Sequence, residues 1–217
     1  MREQTICTIL AEKVIAIVRG VDGRRCLDVA QALYDGGIRL MEVTYDQTDP
    51  SSFQATADAI AAVAESFQGR MEVGAGTVTT LELVELSARA GGRFIISPNT
   101  DPAVIQRSRE LGLVSIPGAM TPTEILAAHQ AGADLVKVFP VDRLGPSYLS
   151  AVLAPLRHVR LLAVGGVDAG NIPDFLRAGA LGVGVGGSLV NAGLVRDGEL
   201  GEITRRARAM TSAARGA

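Results

Sequence analysis

Eight short apolar runs rich in β-branched residues recur along the chain, about every 20 to 30 residues. They fall at 14–19, 40–45, 72–78, 94–98, 113–117, 135–140, 161–167 and 182–189. Between them lie stretches of helical periodicity at 26–34, 52–67, 81–90, 102–111, 122–130, 148–156 and 172–178. Helix punctuation agrees. Asp101-Pro102 and Thr121-Pro122-Thr123-Glu124 place a cap or a first-turn proline at helix starts. Gly36-Gly37, Gly91-Gly92, Gly132 and Gly179 follow the last helical residues. The runs are nearly continuously apolar, as expected when helices cover both faces of a parallel sheet. Eight strands alternating with helices predict an α/β chain: a (β/α)₈ TIM barrel, a single domain over 1–217 with an N-terminal helix. A doubly wound open sheet is the rival arrangement.

Composition narrows the function. The 217 residues are close to the lower size for such a barrel, and 47% apolar content argues against disorder. A net charge of −2 without a basic block gives no reason to expect nucleic acid as a partner. Met1 to Lys13 mixes charged and apolar residues and lacks the apolar stretch of a signal peptide. The longest uncharged run, 178–195, is too glycine-rich for a membrane helix and reads as a buried strand plus a loop. Cys7 and Cys26 lack metal or redox spacing and read as reduced packing thiols of a cytoplasmic protein.

In a (β/α)₈ barrel the chemistry sits at the C-terminal ends of the strands. Those ends carry Arg19, Glu42 to Asp46, the Gly74–Thr77 stretch, Pro98, Pro117, Lys137 to Pro140, Gly165-Gly166 and Gly186-Gly187-Ser188. The strand-initial ends read as bland by comparison. Lysine occurs only at Lys13 and Lys137, in a chain whose other cations are arginine. Arginine stays protonated and cannot act as an amine nucleophile. Lys137 lies in Leu135-Val136-Lys137-Val138-Phe139, where burial disfavours the ammonium form. A neutral amine there attacks a ketone to give an iminium. A lysine paired with a carboxylate only for structure is the alternative.

Period-2 alternation puts Leu40, Glu42 and Thr44 on one face of the second strand, and Leu135, Lys137 and Phe139 on one face of the sixth. Those strands stand on opposite walls of the ring, so Glu42 and Lys137 can approach across its mouth as acid/base and amine. Gly165, Gly166, Gly186 and Gly187 end strands seven and eight, where such barrels bind phosphate on exposed backbone N–H groups and at the start of a short helix. Ser188 can add a hydroxyl donor, or the glycines can be plain turn residues. No nucleotide fingerprint accompanies them. His129 and His158 fall away from the strand ends and read as structural or surface residues. A carboxylate-only Mg²⁺ site at Asp46 or Asp49 stays open.

With these residues laid out, the chain resembles the 2-keto-3-deoxy-6-phosphogluconate / 4-hydroxy-2-oxoglutarate (KDPG/KHG) aldolase family. The motifs are Ala16-Ile17-Val18-Arg19-Gly20, Gly36-Gly37-Ile38, Glu42-Val43-Thr44, Gly74-Ala75-Gly76-Thr77-Val78, Ser97-Pro98-Asn99, Pro117-Gly118, Thr121-Pro122-Thr123-Glu124, Lys137-Val138-Phe139-Pro140 and Val185-Gly186-Gly187-Ser188. The resemblance implies a cytoplasmic homotrimer without cofactor that cleaves a phosphorylated 2-keto-3-deoxy sugar acid to pyruvate and glyceraldehyde 3-phosphate. It implies Lys137 as the Schiff-base lysine and Glu42 as the acid/base working with a water. It places Arg19, Thr77, Pro98, Pro117 and Phe139 around the substrate, and Gly165, Gly166, Gly186, Gly187 and Ser188 at its phosphate. Two departures bear on the substrate. Tyr45-Asp46-Gln47 stands where many members carry an arginine, and Ala163-Val164-Gly165-Gly166 resembles the 2-keto-3-deoxy-6-phosphogalactonate branch, as does Leu144-Gly145-Pro146. The resemblance implies 2-dehydro-3-deoxy-6-phosphogluconate as the substrate, with 4-hydroxy-2-oxoglutarate as a second one, and the galactonate-type acid is the alternative. A barrel isomerase or synthase without covalent catalysis and an inactive metabolite-binding barrel remain open.

Overall fold

Alternation decides which side chains fill the ring and which meet the helices. The computed structural model describes residues 1–21 and 23–216, with only the backbone of Arg24. Among them, nine parallel strands form one sheet: β1 (Val14–Arg19), β2 (Leu40–Thr44), β3 (Glu72–Gly76), β4 (Phe94–Ile96), β5 (Val114–Ile116), β6 (Gly118–Ala119), β7 (Val136–Val138), β8 (Leu161–Val164) and β9 (Gly182–Val185). Their order is β5-β4-β3-β2-β1-β9-β8-β7-β6. The two ends of this order are halves of one barrel strand. β5 pairs with β4 and β6 with β7, and Pro117, which has no N–H to give a ladder, stands between them. The Asp134 N–H reaches Ser115 O at 3.0 Å and the Lys137 N–H reaches Pro117 O at 2.9 Å, so the ladder continues across the break. The eight-strand barrel is therefore closed, with its fifth strand in two pieces where the sequence reads one.

Ile15, Ile17, Leu40, Phe94, Ile96, Val114, Ile116, Leu135, Leu162 and Val164 fill the interior. Their alternating neighbours, such as Met41, Val43, Val136 and Val138, pack outward into the larger core under the helices. Helix α1 (Arg2–Glu12) sends Ile6 and Ile9 into the interior cluster and closes the strand-initial end. Seven crossover helices follow: α2 (Gly23–Asp35), α3 (Phe53–Ser66), α4 (Leu81–Arg89), α5 (Pro102–Glu110), α6 (Pro122–Gln130), α7 (Gly145–Leu153) and α8 (Ile172–Arg177). The Thr121–Glu124 pair forms a full capping box on α6, and Asp101 caps α5.

Several expectations change. The run 178–195 holds β9, a turn and then most of α9 (Ala192–Arg196), not a strand and a loop; α10 (Leu200–Arg215) completes the chain. Asn191 caps α9 by accepting the Leu194 N–H, which ends the loop early. β3, β8 and β9 stop two to four residues sooner than their apolar runs. Thr77, Gly165 and Gly166 have φ of 57°, 99° and 69°, which turns β3 and β8 out of extended backbone. The strand-initial rim is not bland: Arg39, Glu72, Arg93, Asp134 and Arg160 stand at or beside strand starts. Part of this charge pins α1, through Arg2 to Asp134 and Thr5 Oγ1 to Glu72. A hollow of about 680 Å³ lies at this end, but its Arg39 and Arg70 donate to Tyr34 O and Ser66 O, capping the ends of α2 and α3. Cys26 is buried in α2, whereas Cys7 on α1 is exposed rather than packed in the core.

Candidate active site

Lys137 sits on the interior face of β7, between outward-facing Val136 and Val138, and is only 7% exposed. Burial pushes its pKa down. Glu42 pulls it back up, and Arg19 pushes it further down. The ring of Phe139, two residues on, lies 4.5 Å from Nζ and is 38% exposed at the mouth. Glu42 sits on the interior face of β2 and is 2% exposed. Burial pushes its pKa up, against the opposing pull of Lys137 and Arg19. The two groups feel each other's charge from opposite walls, yet Glu42 Oε2 is buried without a hydrogen-bond partner. A hydrogen-bond donor, such as a water or a substrate hydroxyl, would satisfy that oxygen.

Glu42 rests on Gly76, two residues beyond its register partner Gly74 on β3. A methyl group at Gly76 would lie 1.7 Å from Glu42 Oε1, so the carboxylate occupies the place a side chain would take. Gly76→Ala is expected to displace the carboxylate and lower kcat about tenfold or more, while overpacking costs about 1–3 kcal/mol of stability. Steady-state kinetics beside thermal unfolding checks this; a folded variant with normal kcat would show that Glu42 does not need that seat.

A cavity of about 540 Å³ opens at the ends of β1, β2 and β3, lined by Arg19, Thr44, Gln47, Thr56 and Thr77 among others. Thr77 is a β-branched residue with φ 57°, a conformation that persists only when neighbours hold it. Gln47 does so: its Nε2 donates to Thr77 O at 2.8 Å while its Oε1 accepts from Thr79 Oγ1 at 3.0 Å. This clamp was not legible as a site feature, since Gln47 carries no sequence signal beyond standing near the expected arginine. The Tyr45 hydroxyl turns outward to Ser87 Oγ, 3.0 Å away. Asp46 Oδ1 is held by the Thr48 N–H and hydroxyl, which lower its pKa.

The loops after β8 and β9 meet where Ser188 Oγ donates to Val167 O at 2.6 Å. That bond engages the hydroxyl expected to serve as a donor and leaves the Ser188 backbone N–H. The Gly166, Gly187 and Ser188 N–H groups make no hydrogen bond among the described residues. Gly187 to Leu189 form a turn where a short helix is expected. Pro98 is exposed at the mouth and its carbonyl abuts Gly118; Pro117 is buried in the strand break. His129 and His158 meet edge to face with ring centroids 5.0 Å apart, away from the mouth. Among the described residues no group of three or more His, Cys, Asp and Glu is placed to hold a metal ion. No helix of those residues is long and apolar enough to cross a membrane.

Fold and site together define a (β/α)₈-barrel enzyme. The chain matches the family model described as KDPG and KHG aldolase over residues 6–206. It is 38% identical to the probable 2-dehydro-3-deoxy-6-phosphogalactonate aldolase of Rhizobium meliloti (strain 1021), over 92% of this chain and 90% of that one. It superposes with TM-score 0.85 on the structure of native KDPGal, at 32% identity and 94% coverage of each chain. It also superposes, with TM-score 0.82 at 25% identity, on KDPG aldolase from Legionella pneumophila with pyruvate captured as a covalent carbinolamine, covering 93% of this chain and 95% of that one. The chain belongs to the KDPG and KHG aldolase family and is an aldolase, a carbon–carbon lyase.

Proposed function

We propose that this aldolase forms a Schiff base through Lys137 and cleaves a phosphorylated 2-keto-3-deoxy sugar acid to pyruvate and glyceraldehyde 3-phosphate. The observation that carries the reading is the buried Lys137 amine, its pKa lowered by desolvation, facing a buried carboxylate with an unpartnered oxygen. The carbinolamine of the Legionella pneumophila relative supports the covalent route.

In this reading neutral Lys137 adds to C2 of the keto acid, and loss of water gives an iminium. Glu42 takes the C4 hydroxyl proton. The O–H electrons become the aldehyde C=O, the C3–C4 pair moves into C3=C2, and the iminium nitrogen becomes neutral. After the aldehyde leaves, C3 takes up a proton and water releases pyruvate. Arg19, exposed at the end of β1, supplies positive charge for the substrate's carboxylate. Thr77, Pro98, Pro117 and Phe139 shape the pocket around the pyruvate carbons. The N–H groups of Gly165, Gly166, Gly186, Gly187 and Ser188 take the distal phosphate, and that remote binding orients the breaking bond. The reading includes a homotrimeric, cytoplasmic enzyme.

Gluconate-type and galactonate-type acids undergo the same cleavage and differ in stereochemistry. Similarity to the Rhizobium meliloti protein and the Ala163-Val164-Gly165-Gly166 run favour the galactonate type. A lactate dehydrogenase-coupled assay on both acids and on 4-hydroxy-2-oxoglutarate tests this. Rapid cleavage of at least one phosphorylated acid is expected, and pyruvate with borohydride should leave a stable adduct on Lys137. An unmodified Lys137 in a protein that still cleaves substrate would rule out the covalent route.

A further inference from the structure

Only two buried side-chain polar atoms lack a hydrogen-bond partner among the described residues, and they stand two positions apart on one strand: Glu42 Oε2 and Thr44 Oγ1. Both residues sit inside the ring by alternation along β2, Glu42 at 2% and Thr44 at 6% exposure. Same-face neighbours on a strand lie about 6.6 Å apart along the chain, so the two side chains open onto one stretch of the interior. A threonine usually avoids this state by bonding a nearby carbonyl. Thr5, Thr204 and Thr211 all do so here. Thr44 does not, and it lines the cavity that Arg19 and Thr77 also line.

The two orphan atoms are chemically complementary. A carboxylate oxygen can only accept, and a hydroxyl can donate. One group that donates to the first and accepts from the second satisfies both, and an alcohol does that. We infer that Thr44 recognises the hydroxyl on the carbon that becomes the aldehyde, donating to its oxygen while Glu42 takes its proton. Thr44 is then a catalytic residue in contact with the reacting oxygen. As the C4 O–H bond breaks toward Glu42, that oxygen gains electron density until the C3–C4 pair departs, so the Thr44 hydrogen bond strengthens in the transition state. This inference rests on the Schiff-base reading above, and it assigns the aldehyde half of the substrate to the Glu42–Thr44 wall.

The test compares Thr44→Val, which keeps shape and removes the hydroxyl, with Thr44→Ser, which keeps the hydroxyl. Three readouts are taken on each: coupled cleavage of the phosphorylated keto acid, exchange of pyruvate methyl protons in D₂O followed by NMR, and thermal unfolding. Pyruvate has no hydroxyl at this position. Thr44→Val should therefore lose about ten- to a hundredfold in cleavage kcat while its pyruvate exchange stays within about threefold of wild type. Its melting temperature should equal or exceed that of wild type, because a buried unsatisfied hydroxyl is gone. Thr44→Ser should recover most of the cleavage rate. Cleavage at the wild-type rate in Thr44→Val would overturn the inference, as would equal losses of cleavage and exchange, or failure of Thr44→Ser to recover. If wild type itself takes no borohydride adduct with pyruvate, the Schiff-base reading fails instead, a result separate from any of these.

Discussion

Lys137→Met is expected to lose cleavage activity by on the order of 10⁴-fold or more, equivalent to about 5 kcal/mol or more of transition-state stabilisation, and to take no borohydride adduct. Methionine fills the same length of the interior and removes the amine. The variant should also be more stable than wild type. In the fold the Lys137 pKa lies below its ordinary value of 10.5, so the unfolded chain holds the proton more tightly. Its burial therefore costs most at low pH, and the cost fades as pH rises from the folded pKa to the unfolded one. Methionine removes that penalty, and its advantage should be largest in acid and vanish in strong base. Thermal melts across pH beside the coupled assay read both effects. Substantial activity in a folded Lys137→Met would leave the lysine a structural role only.

Glu42→Gln is the second large effect: kcat should fall by about 10² to 10⁴, the range for a lost general base. The glutamine still fits over Gly76, so the variant should fold and should still trap pyruvate at Lys137. Its pH behaviour is the sharper test. Glu42 must be ionised to take a proton, and burial raises its pKa above the ordinary 4.5. Wild-type kcat should therefore fall on the acid side at a higher pH than an ordinary carboxylate would give. Glu42 also raises the Lys137 pKa. Removing that negative charge lowers it further, so adduct formation in Glu42→Gln should persist to lower pH than in wild type. A shift of trapping toward higher pH would mean the two groups do not face each other electrostatically. Stability carries its own sign. A carboxyl with a raised folded pKa loses stability as pH rises from its unfolded value through its folded one, so glutamine should gain over glutamate near neutrality.

The sequence alone placed these two residues because their signals are local and periodic. Leu40-Glu42-Thr44 and Leu135-Lys137-Phe139 alternate with outward Val and Met residues, and the ring geometry sets their strands opposite one another. What escaped notice depends on contacts between distant segments. Pro117 reads as a strand end, and only the pairing of β5 with β4 and of β6 with β7 shows a strand in two pieces. The seat of Glu42 on Gly76 and the Gln47–Thr77 clamp join β2 to β3 through side chains, which no spacing encodes. The Ser188 hydroxyl reads as an anion donor, and its partner Val167 O comes from a different loop. The charged strand-initial rim was overlooked because each charge stands alone in the sequence and becomes a rim only when the strands align. The tail helices were obscured by a glycine-rich uncharged run whose helix start is set by Asn191.

Helix α1 makes the barrel a cup with a floor. Ile6 and Ile9 sit among the interior side chains at that end, and Lys137 lies above them, below the exposed rings of Phe139 and Pro98. Traffic then shares one doorway, and depth orders it. In the Schiff-base reading, the fragment held covalently on the inner wall would be the last to go, after the phosphate-bearing fragment at the brim.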